Sequence, residues 1–159
     1  MNFKKSILSI LLLALYIQTF ALYGKVVGLH DGDSFTLLDS NNVQHKIRLH
    51  GIDCPELNQP FGKAAKQFVS DLIFGNYVNV ETNKKDRYGR TIGIVTLANN
   101  TILNEVILKN GYAWHYLEYG TNSLWYELET NAKANKLALW LDTNPASKDM
   151  PLTTANAVL

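Results

Sequence analysis

One cysteine, Cys54, stands in a chain of 159 residues. No disulfide can form within the chain, so the fold must rest on its core. A thiol nucleophile would need a neighbouring base, and Cys54 lies between Asp53 and Pro55. Zinc chemistry also lacks ligands: His30, His45, His50 and His115 are scattered, with no His pair or cysteine cluster at zinc spacing. Arginine is scarce, three residues against 12 lysines. No apolar run approaches the roughly 20 residues that a membrane span needs.

The apolar run that does occur, Ile7 to Ile17, is 11 residues long and follows Lys4 and Lys5. Thr19-Phe20-Ala21 then offers small residues at the two positions a signal peptidase reads, which predicts a leader over 1–21 cut after Ala21. The expected product is a secreted or periplasmic protein with no stable membrane association, and a monomer. Removing the leader takes two of the 15 basic residues and no acid, leaving 13 basic against 14 acidic. A global positive field for a polyanion is thereby excluded, and any such ligand must be held by local geometry or by a bound cation.

What is present is a globular composition, 47% hydrophobic and 18% charged. Alternating runs predict strands over Tyr23–Leu29, Ser34–Leu38 and Val43–Ile52, joined by turns at His30–Asp33 and Asp39–Asn42. Asp31-Gly32 reads as a tight turn that uses glycine's positive φ. Phe61, Ala64, Ala65, Phe68, Val69, Leu72 and Ile73 then recur at helical spacing, between Pro60 and Gly75. Strands follow over Tyr77–Thr82 and Arg90–Leu97. A short helix around Ile102–Ile107 ends at Asn110-Gly111. A last helix is capped by Ser123, with Leu124, Leu128 and Ala132 facing the body. Residues 22–141 form the expected domain and 142–159 a polar tail. Three strands, a helix, two strands and two helices fit a five-stranded antiparallel barrel of the oligonucleotide/oligosaccharide-binding (OB) type, an α+β fold with about three helices. A sandwich or an open roll fits the same pattern.

The three arginines fall in two places. Arg48 begins Arg48-Leu49-His50-Gly51-Ile52-Asp53-Cys54-Pro55-Glu56, where a strand breaks into a loop. Arg87 and Arg90 sit in Asp86-Arg87-Tyr88-Gly89-Arg90. A chain that uses lysine for ordinary surface charge has placed arginine where bidentate recognition of an anion would matter. Asp33, Asp53 and Glu56 lie at two turns that a meander can bring to one end of the barrel. Carboxylates with a backbone carbonyl and waters are the ligand set of a hard cation such as Ca²⁺. Asp31 ranks below them, since Asp-Gly has its own reason to form a turn.

Asp31-Gly32-Asp33-Ser34, the Arg48–Glu56 stretch and the Asp86–Arg90 stretch, taken in that order and spacing, resemble the three signature motifs of the staphylococcal nuclease (thermonuclease) family. The likeness runs from about Tyr23 to Leu141. It implies that family's barrel and its Ca²⁺-dependent hydrolysis of DNA and RNA, with P–O5′ cleavage leaving 3′-phosphate ends. Residue by residue, it implies Asp33, Asp53 and the carbonyl of Cys54 as metal ligands and Glu56 as general base. It also implies Arg48 and Arg90 on the phosphate and Tyr88 near the nucleotide. The stretch Trp114–Tyr119 aligns in more than one register with the family's stacking tyrosines, and Tyr119 is the position selected for that role. Two departures stand out: cysteine replaces the type member's threonine at 54, and the loop from Glu56 to the first helix is short. An inactive barrel of the same family, binding nucleic acid or protein, is the alternative. A binding module for oligosaccharide or peptide would account for the aromatics around Trp114, but not for three matched charged motifs.

Overall fold

Inward positions of the first meander are apolar while outward ones are mixed, as a closed sheet with one filled face allows. The computed structural model describes residues 20–116, 122–142 and 145. The expected leader (apart from residues 20 and 21), Tyr119 and most of the expected tail lie outside them. Strands β1 (Phe20–Leu29), β2 (Ser34–Asp39) and β3 (Gln44–Leu49) form the meander. Val26, Phe35, Leu37, Ile47 and Leu49 point into the core, while Tyr23, Lys25 and Val27 face solvent. Two residues, Ile52–Asp53, form the short strand β4. Helix α1 (Gly62–Ile73) follows, then β5 (Tyr77–Lys85), β6 (Thr91–Thr96), α2 (Leu103–Lys109), β7 (Trp114–His115) and α3 (Ser123–Ala134).

The barrel closes in the order β1-β2-β3-β6-β5, with β5 back on β1. Four of its pairings are antiparallel, but β3 and β6 run parallel, Ile47 opposite Thr91 and Leu49 opposite Gly93. The expected all-antiparallel barrel is therefore mixed. Hydrophobic alternation reports which face a residue occupies and carries no information on strand direction. The run expected as one strand from Val43 to Ile52 also breaks. After Leu49 the chain leaves the barrel, and β4 pairs with β7, Ile52 opposite His115 and Asp53 opposite Trp114.

That departure is locked from the C-terminal third. Gly51 turns with φ 67°, and a Cβ there would meet the Trp125 ring at 2.7 Å. Asn104, fully buried, donates to the His50 carbonyl (2.9 Å) and accepts from the Val95 amide (3.1 Å). In α3 the buried face is Trp125, Glu129 and Ala132, whereas Leu124, expected to pack inward, is exposed. Asn122 rather than Ser123 is the cap, its side chain accepting from the Trp125 amide. A buried tryptophan one position along turns the helix by about 100°, and the burial of Trp125 outweighs that of Leu124.

Helix α1 buries Ala65, Val69 and Ile73 against the barrel, as its spacing predicts. Its entry is tight: Phe61 takes φ 63° to turn the chain, and a Cβ at Gly62 would collide with the Glu56 carbonyl oxygen. Gly32, by contrast, does not use a positive φ. It is small because a Cβ would lie 2.9 Å from Cys54 and 3.0 Å from Ala65, so the first turn packs directly on the loop after β4.

Candidate active site

Arg48 lies on the outer face of β3, between Ser34 of β2 and Ile92 of β6. Asp33 is at the threshold of β2, in a turn where the Asp31 carboxylate accepts from the Asp33 amide (3.0 Å) and the Ser34 hydroxyl (2.8 Å). Asp53 arrives on β4. The three meet at one guanidinium: Arg48 Nη1 is 2.7 Å from Asp33 Oδ2, and Nη2 is 2.7 Å from Asp53 Oδ1. Nη1 also donates to the Ile52 carbonyl at 3.1 Å, and the Cys54 amide donates to Asp33 Oδ2 at 2.6 Å. Burial opposes the charge on Arg48, but Asp33 and Asp53 overcome it and raise its pKa above the ordinary value. Burial and the Asp33 charge push the Cys54 thiol well up, so at neutral pH it is an inert packing group.

Arg90 stands at the end of the turn between β5 and β6, and Asp86 aims it. One carboxylate oxygen of Asp86 accepts from the backbone amides of Tyr88 and Arg90, both at 2.9 Å. The other takes Arg90 Nε at 2.7 Å. Arg87 and Arg90 lie 4.8 and 5.6 Å from the centre of the exposed Tyr88 ring. Burial would raise the Asp86 pKa, yet the hydrogen bonds from the Arg90 side chain and the two amides hold it below the ordinary 3.8. A folded pKa below the unfolded one means stability is present above 3.8 and lost as pH falls beneath it. The 86–90 turn is therefore expected to keep its order down to about pH 4 and lose it in stronger acid. Amide exchange at Tyr88 and Arg90 across pH 2–5 checks this, and protection unchanged at pH 2 would contradict it.

A cleft of about 620 Å³ is lined by Arg48, Asp53, Tyr88 and Arg90 among others. Asp33 and Cys54 do not line it; Asp33 is joined to it through Arg48, and the Cys54 amide bonds Asp33. Glu56 is half-buried on the loop after β4 and does not line the cleft. Its amide donates to Gln59 Oε1 (2.8 Å), while its carbonyl accepts from the Gln59 amide (2.9 Å). Asp33 and Asp53 converge on a single cation, and two oxygen anions around one positive centre suit a hard metal ion as they suit a guanidinium. Among the described residues no group of three His, Cys, Asp or Glu side chains could hold a metal. Asp33 and Asp53 alone supply two carboxylates, so a hard cation there would need a backbone carbonyl, water and substrate to complete its shell, and the Cys54 sulfur, a soft donor, would be a poor ligand for it.

A family model described as staphylococcal nuclease homologue matches residues 46–142, more than half of the chain. The chain belongs to the staphylococcal nuclease family. An uncharacterized endonuclease of Haemophilus influenzae is 38% identical over 121 residues, covering 76% of this chain and 67% of that protein. A micrococcal nuclease of Shigella flexneri is 38% identical over 131 residues, 76% of this chain and 75% of its own length. An uncharacterized endonuclease of Escherichia coli O157:H7 is 34% identical over 124 residues, 78% and 80% of the two chains.

Asp33 precedes the span matched to the staphylococcal nuclease family model, and what ties it to the rest is its contact with Arg48. Sequence reasoning overlooked several residues of the site. Asp86 aims Arg90, Gln59 pins Glu56, and Lys84, Lys85 and Tyr116 line the cleft. Asp86 had a readable signal, an aspartate opening a glycine-containing turn four residues before an arginine. Gln59 had a weaker one, an amide side chain three residues beyond Glu56. Tyr116 lies inside the stretch Trp114–Tyr119, whose register the sequence leaves open, and Tyr119 is the position selected there in its stead.

Proposed function

We propose that this chain is an exported, Ca²⁺-dependent nuclease that hydrolyses phosphodiester bonds of DNA and RNA, cleaving P–O5′ and leaving 3′-phosphate ends. The observation that carries the reading is Arg48 held between Asp33 and Asp53, with Arg90, aimed by Asp86, lining the same cleft. Phosphodiesters resist hydrolysis because a nucleophile must approach an anion. Ca²⁺ held by Asp33, Asp53 and the Cys54 carbonyl would offset part of that charge and help position the attacking water. Glu56 accepts the proton of that water or orients it, help worth roughly 10²–10⁴-fold in rate. Water oxygen bonds to phosphorus while the bond to O5′ breaks; O5′ takes a proton from solvent water as it leaves, and Glu56 returns its proton to solvent.

Arg48 and Arg90 supply fixed donors for the equatorial oxygens, where negative charge grows in the transition state. For Arg48, engaging a phosphate means exchanging contacts it now makes with Asp33 or Asp53. Tyr88 lies beside both arginines of its turn, close to where a nucleotide would sit, and Tyr119 is the further aromatic assigned to stacking. Export rests on the leader pattern of residues 1–21. A cut after Ala21 would leave β1 starting at Leu22, still paired with Val80. Among the described residues no helix is long and apolar enough to cross a membrane.

Digestion of single-stranded DNA and of RNA by the purified protein, with and without Ca²⁺, tests the proposal. Both substrates are expected to be degraded with Ca²⁺ and to survive in excess chelator. Undiminished activity in chelator would overturn the metal assignment, and no degradation under any condition would favour the inactive-barrel alternative.

A further inference from the structure

The β5–β6 ladder slips by one residue inside the cleft wall. Thr82 faces Gly93 but Lys84 faces Ile92, so β5 carries one extra residue, a bulge. The Thr82 hydroxyl closes it, bonding the carbonyls of Ile92 (2.7 Å) and Lys84 (3.2 Å). The slip decides where Lys84 points. Without it, Lys84 would stand opposite Thr91, on the same rung as fully buried Ile47. With it, Lys84 shares a rung with Ile92 and Arg48, and all three line the cleft. Strands are about 4.8 Å apart, so Lys84 lies two spacings, roughly 10 Å, across the wall from Arg48.

Lys85 departs from alternation as well. Its rung partners Thr91 and Ile47 are buried, yet Lys85 is exposed and lines the cleft beside Lys84. Neighbouring strand residues ordinarily point to opposite faces. Five of the chain's 15 basic residues thus line one cleft: Arg48, Lys84, Lys85, Arg87 and Arg90. The two acids there, Asp53 and Asp86, are each paired with one of its arginines. The surplus positive charge is local, in a chain whose total charge is close to neutral.

From this placement we infer that Lys84 and Lys85 form a second phosphate-binding row, holding backbone phosphates that flank the one lying between Arg48 and Arg90. The inference rests on the nuclease reading and deepens it: the favoured ligand is a single strand several nucleotides long, gripped through its backbone without regard to base. Lysines suit this task, as point charges that follow a flexible polyanion, while the arginines hold the fixed geometry at the centre.

The test is binding of a twelve-nucleotide oligothymidylate and of a dithymidylate to the full-length protein in chelator, from 50 to 200 mM salt. Each phosphate contact on a single strand contributes about 0.7 to the slope of log affinity against log salt. Lys84→Gln/Lys85→Gln is therefore expected to flatten the twelve-nucleotide slope by about 1.4. The wild type then loses about sevenfold more affinity than the variant over that fourfold salt range. The ratio of wild-type to variant affinity is expected to be larger for the twelve-nucleotide strand than for the dithymidylate. The same pair of changes at Lys46 and Lys109, exposed on β3 and α2, is expected to leave the slope within about 0.3, less than half of one contact. An unchanged slope, or an equal ratio at both lengths, overturns the row even if the protein still cleaves DNA. A wild type that binds long strands with the steep slope but never cleaves them with Ca²⁺ overturns the nuclease reading and leaves the row standing.

Discussion

Arg90→Ala is expected to lower kcat by about 10²–10³-fold, the loss seen when one fixed donor to a transition-state oxyanion is removed. The fold should hardly notice. The Arg90 side chain is about a third exposed, and its pair with Asp86 is a surface pair, worth less than about 1 kcal/mol. Asp86 also keeps its hydrogen bonds from the backbone amides of residues 88 and 90, so the turn keeps its shape. Arg90→Lys returns the charge without the planar fork and should recover only part of the rate. Steady-state kinetics beside a denaturant melt separate the two effects. A wild-type kcat in Arg90→Ala would mean that the cleft works through some other donor.

Arg48→Met is expected to be costly in a different way, losing about 3–5 kcal/mol of stability in addition to activity. Its guanidinium is the shared counter-charge of Asp33, only 1% exposed, and Asp53, 7% exposed. Removing one member of a buried ionic group leaves the other charges desolvated, and that penalty exceeds the worth of the pair itself. Two companion measurements make the cause visible. Arg48→Met/Asp33→Asn should regain much of the lost stability, because one buried charge goes with its partner. Ca²⁺ should raise the midpoint of Arg48→Met more than that of the wild type, since a ligand of the folded state stabilises it by mass action and no guanidinium competes for the carboxylates. A loss below about 1 kcal/mol would show that the three groups are solvated in solution and only loosely joined.

The sequence carries these groups plainly but not their arrangement. Phe35 with Leu37, Ile47 with Leu49, and Ala65 with Val69 and Ile73 announce their faces through spacing alone, because burial acts residue by residue. The charged stretches 31–34, 48–56 and 86–90 announce their chemistry by residue type. Three things stay hidden for physical reasons. Strand direction leaves no trace in alternation, so the parallel β3–β6 pairing is invisible. A one-residue bulge is a compromise among neighbouring strands, so Lys84 and Lys85 read as an ordinary polar turn. Glycine has several uses, and at Gly32 the need is room for Cys54 and Ala65, not an unusual φ.

The pairing of Asp53 with Trp114 also bears on the order in which the protein is made. Three contacts that shape the loop presenting Asp53 come from beyond residue 100: Asn104 on the His50 carbonyl, Trp114 beside Asp53, and Trp125 against Gly51. A ribosome adding roughly 5–20 residues per second needs about 3–12 s to travel from Asp53 to Trp114. Throughout that interval Asp53 has its partner Arg48 in the chain but not the strand β7 that its own short strand pairs with. The loop that carries Asp53 therefore takes its final place only when the last third of the domain arrives.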